Sequence, residues 1–273
     1  ASLDLVDDAS ISVDETADDD DVTGALGQAT ADLVTSAASV YGADGAGTTA
    51  FSLVLSAAGA DSGLKLTNET VIKLYDNNGT IEGRAGDENG AVAFDIKIDG
   101  TTGEVTLTQY LSLYHPDTDD PNDSVQLKNG LITAKVTVTD ADGDKDVADV
   151  DVGALFTFYD DGPVFTSAAD GAVDNVTQSS FTGDLVFSIG ADQPVAGGAL
   201  SLLLNNTPPG DLTSNGAAVH YYVDPDNPDT LIAYTGDDPS VAGNQVFTLV
   251  LDEASSSYTF TLLKTLDSVE LVD

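Results

Sequence analysis

The residues with the plainest capacity for chemistry are carboxylates. In "VTVTDADGDKDVADVDVG" (residues 136–153), Asp140, Asp142, Asp144 and Asp146 alternate between two Val-rich runs. Along an extended backbone, side chains two apart fall on the same face, so these four acids are expected to point one way. Hard oxygen ligands of this kind suit Ca²⁺. The pattern is not an EF-hand, which needs Gly at position six and Glu at position twelve. Here Gly143 is fourth, Asp151 is twelfth, and the flanks read as strands. The plain alternative is a hairpin loop that is acidic only for solubility.

Further Ca²⁺ ligands are expected where the chain passes from one half to the next. Asp14 and Glu15 lie near the start, and Asp160 and Asp161 sit just before the Gly162-Pro163 step. A bridging cation there would stiffen a junction that Pro163 already restricts; a flexible acidic linker is the alternative. Two Pro-containing loops are weaker candidates. "HPDTDDPNDS" (115–124) carries Asp117, Asp119, Asp120 and Asp123, and "DPDNPD" (224–229) carries Asp224 and Asp226. Solvated turns fit both equally well. The run Asp18–Asp21 reads as a solvated edge.

Other chemistries find little footing. His115 and His220 are too few and too far apart for a zinc site, and no Cys is present. There is no Gly-x-Ser-x-Gly elbow and no Walker pattern. "GADGAG" (42–47) joins strand-like segments and opens no helix, so it does not read as a phosphate loop. A sugar-stacking platform would require Tyr221, Tyr222 or Tyr234 to be exposed. No enzyme is expected.

The charge balance points the same way. Forty of the 47 acids are Asp, and only 8 Lys and Arg oppose them, for a net charge of -39 on 273 residues. Short Asp favours turns, where it bonds nearby amides or a hard cation. The negative field argues against nucleic acid and anionic membranes as partners. Hydrophobic residues make up 41% of the chain, and nine Phe and nine Tyr separate it from disordered acidic segments. No apolar run approaches a membrane span, so no direct membrane insertion is expected. The absence of Met, even at position 1, suggests a piece excised from something longer.

The elements that must position these acids are strands. "FSLVLS", "AVAFDIKID", "GEVTLTQYL", "LITAKVTVT", "QVFTLVLD" and "YTFTLL" alternate or run apolar over five to nine residues. They also repeat. Residues 83–113 align without gaps to 236–266 at an offset of 153, matching Gly83 to Gly236, Phe94 to Phe247 and Leu113 to Leu266. Upstream, 41–55 echoes 189–204, 75–83 echoes 223–236, and 13–24 echoes 173–183. The expectation is an all-β chain of two tandem Ig-like or cadherin-like β-sandwich modules, 1–163 and 164–273. The second is expected to be incomplete, because it stops before any counterpart of 131–163, through truncation or an insertion in the parent chain.

"VTVTDADGDKDVADVDV", followed by "FYDDGP" and a fresh "VD" strand, resembles the acidic β-sandwich repeats of large bacterial RTX adhesins secreted by the type I system. The resemblance covers the whole chain, most specifically 131–163 and 183–266. The glycine-rich nonapeptide repeats of the RTX C-terminus are not seen. It implies an extracellular, Ca²⁺-dependent, cell-surface adhesin of a Gram-negative bacterium, active in adhesion or biofilm formation. Such modules act as monomeric extenders. Their partners would be neighbouring modules and an inserted or adjacent ligand-binding domain. The alternative is a Ca²⁺-dependent glycan- or peptide-binding module.

Overall fold

In the computed structural model, residues 3–15, 22, 24–35, 45, 47–191, 200–204, 212–225 and 227–267 are described. The protein is all-β: the described residues form 22 strands and one short 3₁₀ turn, with no α-helix. The chain divides into two compact units. The first comprises residues 1–163 with 190–193, the second 164–189 with 194–273.

The first unit opens with β1 (Asp4–Leu5), β2 (Ile11–Asp14), β3 (Gly27–Asp32) and β4 (Val34–Thr35). There follow β5 (Thr48–Leu55), β6 (Ala60–Lys65), β7 (Val71–Asn77), β8 (Thr80–Ala85), β9 (Val92–Ile98) and β10 (Glu104–Gln109). It closes with β11 (Ser124–Gln126), β12 (Ile132–Thr139), β13 (Lys145–Asp151), the 3₁₀ turn Gly153–Leu155 and β14 (Phe156–Tyr159). One sheet runs β3-β10-β9-β8-β7-β6, and two three-stranded sheets run β13-β12-β5 and β11-β14-β2. β5 packs across β7, β8 and β9, so these sheets enclose one core as a sandwich.

The pleat explains which residues enter that core. In β12, Ile132, Ala134, Val136 and Val138 are buried, while Thr133, Lys135, Thr137 and Thr139 are half-buried on the other face. They join Phe94, Ile96, Val105 and Leu107 from the opposing sheet, and Phe94 meets Phe158 at 4.9 Å between ring centroids. The pairing of β14 with β2 is parallel, Ile11 opposite Phe156 and Asp14 opposite Tyr159. It ties the beginning of the unit to its end.

The second unit contains β15 (Val164–Ala168), β16 (Ser180–Ser188), β17 (Thr213–Ser214), β18 (Ala217–Ala218) and β19 (His220–Asp224). It continues with β20 (Asn227–Tyr234), β21 (Gln245–Asp252) and β22 (Ser257–Leu262). Its main sheet runs β15-β16-β22-β21-β20-β19. The β21–β22 register reproduces that of β9–β10 at the sequence offset of 153. Leu251 faces Tyr258 as Ile98 faces Val105, and Leu249 faces Phe260 as Ile96 faces Leu107. The next strand repeats as well: Thr182 lies opposite Thr259 as Thr30 lies opposite Thr106, each pair sharing a side-chain hydrogen bond.

Two of the sequence echoes shift once register is known. Thr30 rather than Val22-Thr23-Gly24 corresponds to Thr182, so "QATADLV" (28–34) is the counterpart of "SFTGDLV" (180–186). Gly83 pairs with Phe94, and the residue paired with Phe247 is Ala233, not Gly236. The cause is the connection into β21: residues 235–244 are a longer loop than 86–91, and each leaves its strand at a bulge.

Phe94→Ala should cost about 3–5 kcal/mol of unit 1 stability through the cavity it leaves, measured by urea unfolding. Thr106→Ala, which removes only an exposed cross-strand pair, should cost under about 1 kcal/mol in the same assay.

Candidate metal centre

The β12–β13 hairpin holds its register as far as Thr139 opposite Lys145, leaving Asp140–Asp144 to make the connection. The loop is built by its own first residue. Asp140 N donates to Asp144 O (3.0 Å), and Asp140 Oδ1 accepts from Gly143 N (3.1 Å) and Asp144 N (2.8 Å). Gly143 takes φ +102°, a left-handed conformation that a side chain would disfavour.

The carboxylates of Asp140, Asp142 and Asp144 are thereby gathered, with ligand oxygens within 4.8 Å of one another. Among the described residues this is the only such group of three. Hydrogen bonding with the Asp142 side chain, and then with the amides of Asp144, Gly143 and Asp142, holds the Asp140 carboxyl below its ordinary range. Ca²⁺–oxygen distances of about 2.3–2.6 Å place ligands on opposite sides of the ion about 5 Å apart. The three carboxylates fit that spacing as they stand. They would supply three of the roughly six to eight oxygens the ion takes, the others coming from water or carbonyls.

Asp146 does not join them. It sits on β13 opposite Val138, and its Oδ1 accepts from Val147 N. The strict two-residue alternation predicted four converging acids. The chain turns at Gly143, so convergence comes from loop curvature and ends where the strand resumes.

The acids near the middle of the chain meet those near its start through the parallel β2–β14 pair. Asp14 lies opposite Tyr159, and Asp160 and Asp161 follow directly. The Asp161 carboxyl is pushed up, first by burial and then by the charges of Asp14 and Asp160, against an opposing hydrogen bond from Ala191 N (3.1 Å). Buried His115 places Nδ1 3.4 Å from Asp160 Oδ1, and its two ring nitrogens lie 3.2 Å from the carbonyls of Leu113 and Phe158. Asp14, Asp160 and Asp161 thus share one electrostatic neighbourhood, though they form no three-oxygen cluster of the kind seen at the hairpin tip.

Glu15 has a different task. It is buried, and its Oε1 accepts from Gln109 Nε2 and Leu113 N. The counterpart of Leu113 in the second unit is Leu266, which is held on both sides by Asn175: Leu266 N donates to Oδ1, and Nδ2 donates to Leu266 O. A neutral amide performs the same fastening there, so Glu15 contributes to the fold through its acceptor oxygen.

The 115–124 loop folds on itself. Asp117 Oδ1 accepts from Asp119 N, Asp120 Oδ1 from Asn122 N, and Asp123 from both Asp117 N and Ser124 N. Asp160 N donates to Asp123 O (2.8 Å), so the loop lies against the residues that follow β14. Gly162 makes that approach possible, since a Cβ there would stand 2.1 Å from Pro121 Cβ. Asp117, Asp119 and Asp120 remain exposed. Asp226 and the side chain of Asp224 lie outside the described residues. Tyr221, Tyr222 and Tyr234 are each half-buried, and Tyr221 packs edge-on against Phe247.

These features define an acidic all-β sandwich whose carboxylates cap its loops and gather at a hairpin tip. A family profile described as a domain of unknown function (DUF5801) matches residues 10–153. The match covers more than half of the chain, and the chain belongs to that family. No curated protein and no solved structure matches it.

Asp161 carries a pH-dependent signature. Its folded-state carboxyl titrates above the unfolded value, so ionising it weakens the fold as pH rises through the folded pKa, and the penalty vanishes below the unfolded pKa near 4. In metal-free buffer at pH 7, Asp161→Asn should raise Tm by about 1–3 °C, a modest figure because the group is largely solvated. At pH 3.5 the variant and the parent should melt together. Glu15→Ala should cost about 2–3 kcal/mol, by leaving the Leu113 amide without its acceptor. Glu15→Gln, which keeps one oxygen there, should cost less than half as much in the same chemical denaturation.

Proposed function

We propose that this chain is a structural, extender or scaffold region of a large secreted bacterial adhesin of the RTX type, rigidified by Ca²⁺. The observation that carries the reading is the hairpin tip, where Asp140, Asp142 and Asp144 converge at a spacing that fits Ca²⁺. The setting supports it: an all-β chain with a net charge of -39, and a resemblance to acidic adhesin repeats over 131–163.

The mechanism is electrostatic. Ca²⁺ at the tip replaces mutual carboxylate repulsion with shared coordination and fixes the β12–β13 turn. A second ion among Asp14, Asp160 and Asp161 would relieve the crowding that raises the Asp161 carboxyl. Extracellular calcium modules bind at roughly 10⁻⁴–10⁻³ M, so the rigid state forms outside the cell and not in a cytoplasm. The role is mechanical and involves no catalysis. The chain works as a monomer among neighbouring modules at the bacterial surface, where it holds an adjacent or inserted ligand-binding domain away from the cell in adhesion or biofilm formation.

Thermal melts in EDTA and in Ca²⁺ test this directly. A hundredfold excess of Ca²⁺ over Kd adds about 2.7 kcal/mol, or roughly 5–10 °C in Tm for a domain of this size. Asp142→Asn should remove most of that shift, and Asp146→Asn should leave it intact. An identical Tm in EDTA and Ca²⁺ would overturn the reading.

A further inference from the structure

We infer that the inner face of the second unit's main sheet is a docking surface for one kind of partner: an amphipathic β-hairpin of the β12–β13 type. The inference rests on the internal repeat and is independent of calcium. In the first unit, Leu33, Ile96, Val105 and Leu107 are all fully buried. The cover over them is the β13-β12-β5 sheet, whose Leu53, Ile132, Ala134 and Val136 belong to the same core.

The second unit repeats the floor of this arrangement at the same register. Leu249, Tyr258 and Phe260 occupy the places of Ile96, Val105 and Leu107, yet each is only half-buried. An apolar cavity of about 390 Å³ opens over Leu249 and Tyr258, lined also by Phe165, Leu185, Leu202 and Leu251. Phe165, which lines it, is 60% exposed.

One piece of the cover is already present. "ALSLLL" (199–204) aligns without gaps to "AFSLVL" (50–55), identical at four of six positions, placing Leu202 where Leu53 lies on β5. Leu202 does line the cavity, as the repeat requires. In the first unit β5 pairs with β12 over its whole length, Ala134 opposite Leu53 and Val136 opposite Phe51. Residues 200–204 belong to no strand, and the described residues of the second unit include no counterpart of β12 or β13. Leu202 N is held by Pro228 O (2.9 Å), so it is the other edge of this segment, beside the apolar floor, that takes a partner by strand addition.

The first unit specifies that partner's chemistry. One face must offer Ile, Ala and Val at alternate positions, as in Ile132, Ala134, Val136 and Val138, and the other must offer Thr or Lys. The register follows too: the residue standing for Ala134 should fall opposite Leu202.

The test uses the full chain. A second copy of residues 121–163 is joined after Asp273, which the offset of 153 aligns with Asp120. Binding of a hydrophobic dye, amide hydrogen exchange over 200–204 and the Tm of the second unit are compared with the parent. The appended copy should abolish most dye fluorescence, protect the 200–204 amides at least tenfold and raise Tm by at least about 5 °C. A control copy carrying Val136→Lys and Val138→Lys should do none of these. Unchanged dye binding and exchange with the intact copy would overturn the inference. So would equal protection by the lysine control. A parent chain that sediments as a dimer with a dye-silent face would assign the surface to a second copy instead, and would also overturn it.

Discussion

Carboxylate repulsion is the constraint on which this structure turns. With 47 acids against 8 bases, the chain can fold only if its negative charge is placed where something answers it. Much of the answer is the backbone itself. Asp61 accepts from Gly63 N, Asp76 from Gly79 N, Asp99 from Thr101 N and Thr102 N, Asp151 from Gly153 N, and Asp238 from Ser240 N. Each carboxylate caps a turn two or three residues on, which is a reach suited to Asp and too short for Glu to fill neatly. The excess of Asp over Glu is therefore a consequence of loop construction. The Asp99 carboxyl, held below its ordinary range by the Thr102 and Thr101 amides, shows the effect on the charge itself.

The few cations are used sparingly and close to home. Arg84 pairs with Glu82 and donates to Gly90 O, Lys97 pairs with Asp95, and Lys128 pairs with Asp61. On the β8–β9 face, Glu82 and Asp95 stand directly opposite one another. The adjacent Arg84 and Lys97 make that like-charged pair tolerable, and Tyr110 donates to Asp95 from β10's end. Burial and the Asp95 charge push the Tyr110 hydroxyl up to about 12, so it stays a donor at every pH of interest. At Asp161 the single amide of Ala191 does not offset burial and the neighbouring Asp14 and Asp160 charges, so crowding remains there.

Much of the fold was legible because its signals are local. "ITAKVTVT" alternates in the sequence and alternates in burial. The turn-rich "DGTTGE" (99–104) and "DEASSS" (252–257) join β9 to β10 and β21 to β22, with Asp99 and Asp252 capping them. The offset of 153 reappears as a shared strand register. What escaped was whatever depends on distant partners. The sequence pairs Glu15 with Asp14 as a junction Ca²⁺ ligand, because the acceptor role it has toward Leu113 is set far along the chain. The signal for that fastening is the echo of "VDE" (13–15) in "VDN" (173–175) together with the Leu113–Leu266 match. Asp146 failed as a cluster member because period two holds for strands and the chain curls between them. The half-buried face of the second unit was invisible in composition, since its leucines look like any core.

The parallel pairing of β2 with β14 sets the order of events in folding. Ile11 finds Phe156 only after almost all of the first unit has been made available. Closing so long a loop is slow, and contacts at such separation dominate the barrier. The hairpins between rest on local pairs, whereas the pair that seals the unit joins the two ends of its sequence. Until both ends of the unit are present its closing parallel pair cannot form, whichever end of the chain is available first.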